Sequence, residues 1–170
     1  MFTSKICIVG DFGVGKTSTV ERFVNSQFSE KYLTTVGVKV DTKSVTSDGY
    51  EHKLVLWDIA GTDRFGDLEF SYLRGAAGYI LVADGTRSNT IENAQALRHQ
   101  IESKYGEIPF VFLINKSDLK DEWEVTPSEI NQLSKKFQHL FETSAKTGDE
   151  VEVAISALTS LIIEQSLSGG

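Results

Sequence analysis

Apolar and polar positions alternate in a pattern that predicts strands and helices taking turns along the chain. Ile6-Cys7-Ile8-Val9 is a short apolar run of strand length, and Val20, Phe23 and Val24 follow at helical i, i+3, i+4 spacing. From Asn25 to Gly37 no period is visible, with Phe28, Tyr32 and Leu33 isolated among polar residues; this predicts a long loop, a common seat of function in a compact domain. Val36, Val38, Val40 and Val45 read as one strand, Ser47-Asp48-Gly49 as a turn, and Leu54-Val55-Leu56-Trp57 as the returning strand of an antiparallel hairpin. A third run from Ala77 to Ala83 precedes a helix with Ile91, Ala94, Leu97, Ile101 and Tyr105 on one face and Gly106 as its C-terminal cap. Pro109 opens the apolar strand Phe110 to Ile114. Thr126-Pro127-Ser128-Glu129 is a capping box that predicts a helix from about Pro127, with Ile130, Leu133 and Phe137 on its inner face. A short strand is expected over His139 to Glu142, then a last helix with Val151, Ile155, Leu158, Leu161 and Ile162 in one stripe.

Strands that are apolar throughout and alternate with helices imply an α/β fold, a mostly parallel sheet with helices on both faces. Ligands of such sheets sit at the carboxyl ends of the strands. The 170 residues suit one domain, read as residues 1–166 with a flexible tail at 167–170. The net charge of -7, with no basic block against it, argues against nucleic acid and acidic membrane as partners. One cysteine, Cys7, cannot form an internal disulfide, which points to a reducing, cytoplasmic setting; inside the first strand it reads as an inert buried thiol. His52, His99 and His139 are scattered at a turn, a helix and a strand edge, and read as structural or solvent-facing rather than metal ligands. Trp123, in the acidic stretch Asp121-Glu122-Trp123-Glu124, reads as a packed lid.

Candidate chemistry falls where the pattern places strand ends. Gly10-Asp11-Phe12-Gly13-Val14-Gly15-Lys16-Thr17 fits Gly-x4-Gly-Lys-Thr between the first strand and the first helix, the context in which that motif binds phosphate. Glycines let the amides of Gly13, Val14 and Gly15 turn inward, and the following helix adds the positive end of its dipole. Lys16 would reach the terminal phosphates, and the Thr17 hydroxyl would ligate magnesium. Asp58-Ile59-Ala60-Gly61 follows the hairpin's second strand, matching an acid that supports magnesium and an amide for a terminal phosphate. Asn115-Lys116-Ser117-Asp118 follows strand Phe110 to Ile114. There Asp118 can accept two N–H bonds from the guanine edge, whereas adenine would turn an acceptor towards it, and Lys116 can lay its stem along the base. Thr143-Ser144-Ala145-Lys146 would complete the pocket with the Ala145 amide on the guanine oxygen.

With these motifs in order, the chain resembles the Ras superfamily of small GTPases, and most closely the Rab family, from Lys5 to about Gln165. Lys53-Leu54-Val55-Leu56-Trp57-Asp58, Arg64-Phe65 and Tyr72-Leu73-Arg74-Gly75-Ala76 look like Rab signatures. The resemblance implies a P-loop GTPase fold, a six-stranded sheet with one antiparallel edge strand surrounded by five helices. It implies a switch that binds GTP or GDP with Mg2+ and hydrolyses GTP in membrane traffic or signalling. The nucleotide-binding set would be Gly13, Val14, Gly15, Lys16, Thr17, Ser18, Phe28, Thr35, Gly61, Asn115, Lys116, Asp118, Ser144, Ala145 and Lys146. Magnesium would fall to Thr17, Thr35 and Asp58, and catalysis to Lys16, Thr35, Gly61 and Thr62. Two switch loops, roughly Gln27 to Gly37 and Ala60 to Arg74, would meet an exchange factor, an activating protein and effectors.

The departures from the family carry expectations too. Thr62 stands where relatives carry the glutamine that orients the attacking water, and its hydroxyl lacks the paired donor and acceptor of an amide. Phe12 puts a ring where most relatives have a small residue. Together they predict slow intrinsic hydrolysis and a weak response to activators, and they leave open a hydrolysis-deficient, GTP-binding scaffold as the alternative. An adenine-nucleotide kinase or ATPase is opposed by Asn115 to Asp118. Val36-Gly37-Val38-Lys39-Val40 lacks the acidic and aromatic residues typical of a Rab effector segment, and Ala83 precedes Asp84-Gly85-Thr86 where relatives usually have tyrosine. The sequence ends in Leu167-Ser168-Gly169-Gly170 without a cysteine, so it carries no site for a lipid anchor: either a tail is missing from it, or the protein works without one.

Overall fold

The computed structural model describes residues 2–11, 13–24, 30–33, 39–47, 49–59 and 71–168, and of Glu30–Leu33 the backbone alone. Its strands are β1 (Phe2–Gly10), β2 (Glu30–Leu33), β3 (Lys39–Ser47), β4 (Tyr50–Asp58), β5 (Gly78–Asp84), β6 (Phe110–Asn115) and β7 (Leu140–Glu142). The helices described are α1 (Lys16–Val24), α2 (Ser88–Tyr105), α3 (Pro127–Lys136) and α4 (Val151–Ser168), with a short 3-10 helix at Ser117–Glu122. The sheet order is β2-β3-β4-β1-β5-β6-β7. Parallel pairing joins β4, β1, β5, β6 and β7, and β3 runs antiparallel to β4 as expected.

β3 and β4 form the hairpin that Asp48-Gly49 signals. Ser47 pairs with Tyr50, leaving a two-residue connection, and Gly49 takes φ +80, a value that primed hairpin turns require and side chains resist. The six strands expected from the apolar pattern are all present, and β2 adds a seventh, antiparallel to β3 with Tyr32 opposite Val40. Its four residues lie inside the stretch read as a loop, because a strand this short shows too few side chains to display a period. Val36 and Val38, assigned to the same strand as Val40, lie outside the described residues. α4 continues through Ser168, two residues into the segment expected to form the flexible tail.

Period-two alternation along β1 splits the core in two. Ile6 and Ile8 pack under α1 and α4 with Val20, Phe23, Ile155 and Leu158, while Cys7 and Val9 pack under α2 with Ile91, Ala94, Leu97 and Ile101. The predicted inner faces of α2 and α4 are therefore the buried ones, except that Tyr105 and Leu161 are only half-buried. α3 starts at the expected capping box: Thr126 Oγ1 accepts from Glu129 N at 3.2 Å, and Thr126 N donates to Glu129 Oε1 at 3.0 Å. At the other end of α2, the Gly106 N–H donates to Glu102 O at 2.9 Å. His52 lies in β4 rather than at a turn and is fully buried, with Nε2 against Ser4 Oγ at 2.7 Å and its ring stacked on Phe2. Burial lowers its pKa, so it is a neutral core histidine.

Register aligns the strand ends. Ile8 stands opposite Asp58, Gly10 opposite Val82, Asp84 opposite Asn115, and Ile114 opposite Glu142. The carboxyl ends of β1, β4, β5, β6 and β7 thus meet at one edge of the molecule, and the motifs sit there.

Candidate nucleotide site

The loop between β1 and α1 is built to receive an anion. Among the described residues, no acceptor takes the N–H groups of Gly13, Val14, Gly15, Lys16, Thr17 or Ser18; the first amide bonded there is Thr19 N, to Gly15 O at 2.9 Å. These donors gather at the positive end of α1. Gly15 takes φ +102, and a Cβ on it would lie 2.2 Å from Asn115 Nδ2, so both conformation and space demand glycine. Asn115 uses both ends of its amide: Nδ2 donates to Val14 O at 2.9 Å, and Oδ1 accepts from Ala145 N at 3.1 Å and Thr143 Oγ1 at 3.3 Å. One amide at the end of β6 thereby pins the phosphate loop to the loop after β7.

Lys16 is nearly buried, with Nζ donating to Gly10 O at 2.6 Å across the loop. Burial pulls its pKa below the usual lysine value, with Asp58 and Asp11 opposing. Beside it the Thr17 hydroxyl donates to Asp58 Oδ2 at 2.7 Å. Asp58 is 3% exposed, and its Oδ1 has no hydrogen-bond partner among the described residues. A buried, unsatisfied carboxylate oxygen against a hydroxyl is a hard-oxygen donor set that suits Mg2+, so these two residues fit that ion. No group of three or more His, Cys, Asp or Glu among the described residues could hold a metal. Thr35, the third residue assigned to the ion, lies outside the described residues, as do Phe12, Phe28, Gly61 and Thr62.

At the base end, Asp118 is exposed at the start of the 3-10 helix, and its Oδ1 accepts from Ser144 Oγ at 2.8 Å. Lys116 adopts a left-handed backbone, φ +74, and its Nζ lies 2.7 Å from Asp84 Oδ2. Trp123 lies over Gly85, whose missing side chain makes the room, and its Nε1 donates to Lys116 O at 2.8 Å. It is the lid that its acidic surroundings suggested. The Ala145 amide, assigned to the guanine oxygen, goes instead to Asn115 Oδ1; the neighbouring Lys146 N–H is the one without an acceptor among the described residues.

Two residues of the site are invisible as motifs. Asp84 is fully buried at the end of β5 and collects four donors: Thr86 N at 2.9 Å, Thr86 Oγ1 at 2.7 Å, Arg87 Nε at 3.1 Å and Lys116 Nζ at 2.7 Å. Burial alone would raise its carboxyl pKa, but the hydrogen bonds from Lys116, Thr86 and Arg87 outweigh it and hold the carboxyl below the usual range. Arg22, on α1, donates from Nε to Ala145 O at 2.9 Å and from Nη2 to Lys146 O. In the sequence Asp84 shows only as an acid closing an apolar run, and nothing there signals Arg22. A cavity of about 610 Å³ lies at the opposite pole, between Glu102, Pro109, Phe137 and Gln165, and touches none of these loops.

A phosphate loop, an acid–hydroxyl pair for a divalent ion and a base loop on one edge of a mostly parallel sheet define a P-loop nucleotide-binding protein. The profile of the Ras family matches residues 5–164. Ras-related protein Rab-32A of Dictyostelium discoideum is 39% identical over 96% of this chain and 79% of its own length. Rab-27B of Bos taurus is 36% identical over 95% of this chain and 80% of its own, and human Rab-32 36% identical over 94% and 74%. The chain belongs to the Ras family of small GTPases and is Rab-like within it.

Proposed function

We propose that this protein is a guanine-nucleotide switch of membrane traffic that exchanges GDP for GTP and hydrolyses GTP slowly. The observation that carries the reading is the cluster of unpaired amides from Gly13 to Ser18 beside Lys16, in the same site as Asp118 and the Thr17–Asp58 pair. The amides and Lys16 would bind the phosphates and stabilise charge in transfer. Thr17, Thr35 and Asp58 would hold Mg2+, which when bound would neutralise β- and γ-phosphate oxygens. Gly61 and Thr35 would sense the third phosphate, Phe28 would pack on the guanine, and Asp118 would read its N–H edge. The exchange factor, activating protein and effectors would engage the two switch loops.

Slow turnover follows from Thr62. With no amide to orient water, hydrolysis rests on the phosphate loop and the ion alone. Phe12 would add a ring in the path of an arginine from an activating protein, and the two residues motivate the second reading, a GTP-binding scaffold that does not turn over. Single-turnover hydrolysis of GTP-loaded protein beside a Thr62→Gln variant is the test. The variant should be faster by roughly an order of magnitude; equal rates would sink the role given to Thr62.

A further inference from the structure

Arg22 joins two parts of the site that the sequence keeps far apart. It stands in the last turn of α1, the helix that begins at Lys16 and Thr17, and is exposed. Its guanidinium nevertheless spans 123 positions to donate to Ala145 O at 2.9 Å, and also donates to Lys146 O. Its stem lies on Gly148, where a Cβ would meet Arg22 Cδ at 3.3 Å and where φ is +88. The loop it grips is already stiff: Gly148 N donates to Ser144 O at 2.8 Å, Ser144 N to Asp149 O at 3.1 Å and Thr147 N to Ser144 Oγ at 3.1 Å.

Peptide geometry gives that grip a consequence. In a trans peptide the C=O of one residue and the N–H of the next point in opposite directions. Holding Ala145 O on the α1 side therefore turns the Lys146 N–H away from α1. Asn115 and Asp118 meet the same loop through Ala145 N and Ser144 Oγ, at the base end of the site. The Ala145 amide goes to Asn115, and the Lys146 amide has no acceptor among the described residues.

We propose that Arg22 is a positioning residue for base recognition, which aims the Lys146 N–H at the guanine O6. The inference rests on the nucleotide reading above. It makes base specificity depend on the helix that carries the phosphate loop, since a shift of α1 drags the donor with it.

The test compares equilibrium binding of GDP and 6-thio-GDP, whose sulfur is a weaker acceptor at the same position, to wild type, Arg22→Ala and Arg22→Lys. Wild type should prefer GDP. Arg22→Ala should lose about three- to tenfold in GDP affinity, the range of one net hydrogen bond, and its preference for GDP over the thio analogue should shrink towards one. Arg22→Lys, which can still donate to a carbonyl, should recover part of both. Arg22→Ala binding GDP as wild type does, or losing both ligands by the same factor, would overturn the proposal, as would a wild type that treats the two alike. A wild type that binds neither guanine ligand would instead defeat the nucleotide reading itself. Thermal midpoints without nucleotide confirm that the exposed substitution leaves the fold intact.

Discussion

Asp84→Asn is the sharpest perturbation of the site. Asp84 Oδ2 receives Lys116 Nζ at 2.7 Å and Arg87 Nε at 3.1 Å, and Oδ1 receives both donors of Thr86. Asparagine keeps the volume, but its one oxygen can face only one pair; in either flip an NH2 meets donors. Each hydrogen bond to a charged group is worth about 1.5–3 kcal/mol. The side chains of Lys116 and Arg87 are 32% and 42% exposed and can rehydrate, so the lower end applies and the loss is about 3 kcal/mol. For a domain of this size that is a fall of roughly 6–12 °C in thermal midpoint, measured with both proteins saturated in GDP at equal concentration. GDP release should accelerate as well, because Lys116 loses its anchor. The sign with pH is fixed: a carboxyl lowered in the folded state contributes stability above its unfolded value, near 3.8, and loses it as pH falls through the lower folded value. The deficit should therefore be full at pH 7 and shrink only below roughly pH 4. A shift at pH 7 under about 2 °C would refute the reasoning that Asp84 is the charged hub of the site.

Other elements make simpler predictions. In Gly85→Ala the new Cβ would lie 2.2 Å from Trp123 Cε2, so the indole must lift; a cost of roughly 1–3 kcal/mol and a red-shifted emission are expected in a Trp57→Phe background. Thr126→Ala removes the cap of α3 and should cost about 1 kcal/mol in denaturant unfolding, without changing nucleotide affinity. Leu158→Ala opens a cavity under the fully buried face of α4 and should cost about 2–5 kcal/mol. Burial pushes the Cys7 thiol up to about 12, so iodoacetamide at pH 9 should label it only after unfolding; rapid labelling of the native protein would contradict its place in β1.

Local signals made most of this fold legible. Ile6 to Thr17 spells strand, glycine loop and helix within a dozen positions, and the Thr126–Glu129 box and Asp48-Gly49 turn each work between near neighbours. Long-range partnerships have no such signature. Arg22 looks like any helix-surface cation until the fold brings Ala145 to it. Asp84 looks like the end of an apolar run until the sheet carries β6, and Lys116 with it, alongside. His52 follows two polar residues and reads as part of a turn, although pairing with Val45 draws it into the core beside Ser4. The motif alone points the Ala145 amide at the base, whereas the fold sets Asn115 Oδ1 within its reach. Periodicity reports which face of an element is buried, whereas the choice among polar partners is made by tertiary placement.

In the function proposed, the amides around Lys16 and the carboxylate of Asp118 together hold a guanine nucleotide. Denaturing the purified protein and identifying the released nucleotide, followed by competition of GTP against ATP on the refilled protein, tests it most directly. GDP or GTP should be released in near-equal amount to protein, and ATP should fail to displace GTP. An adenine nucleotide in the extract, or ATP competing as well as GTP, would contradict the account.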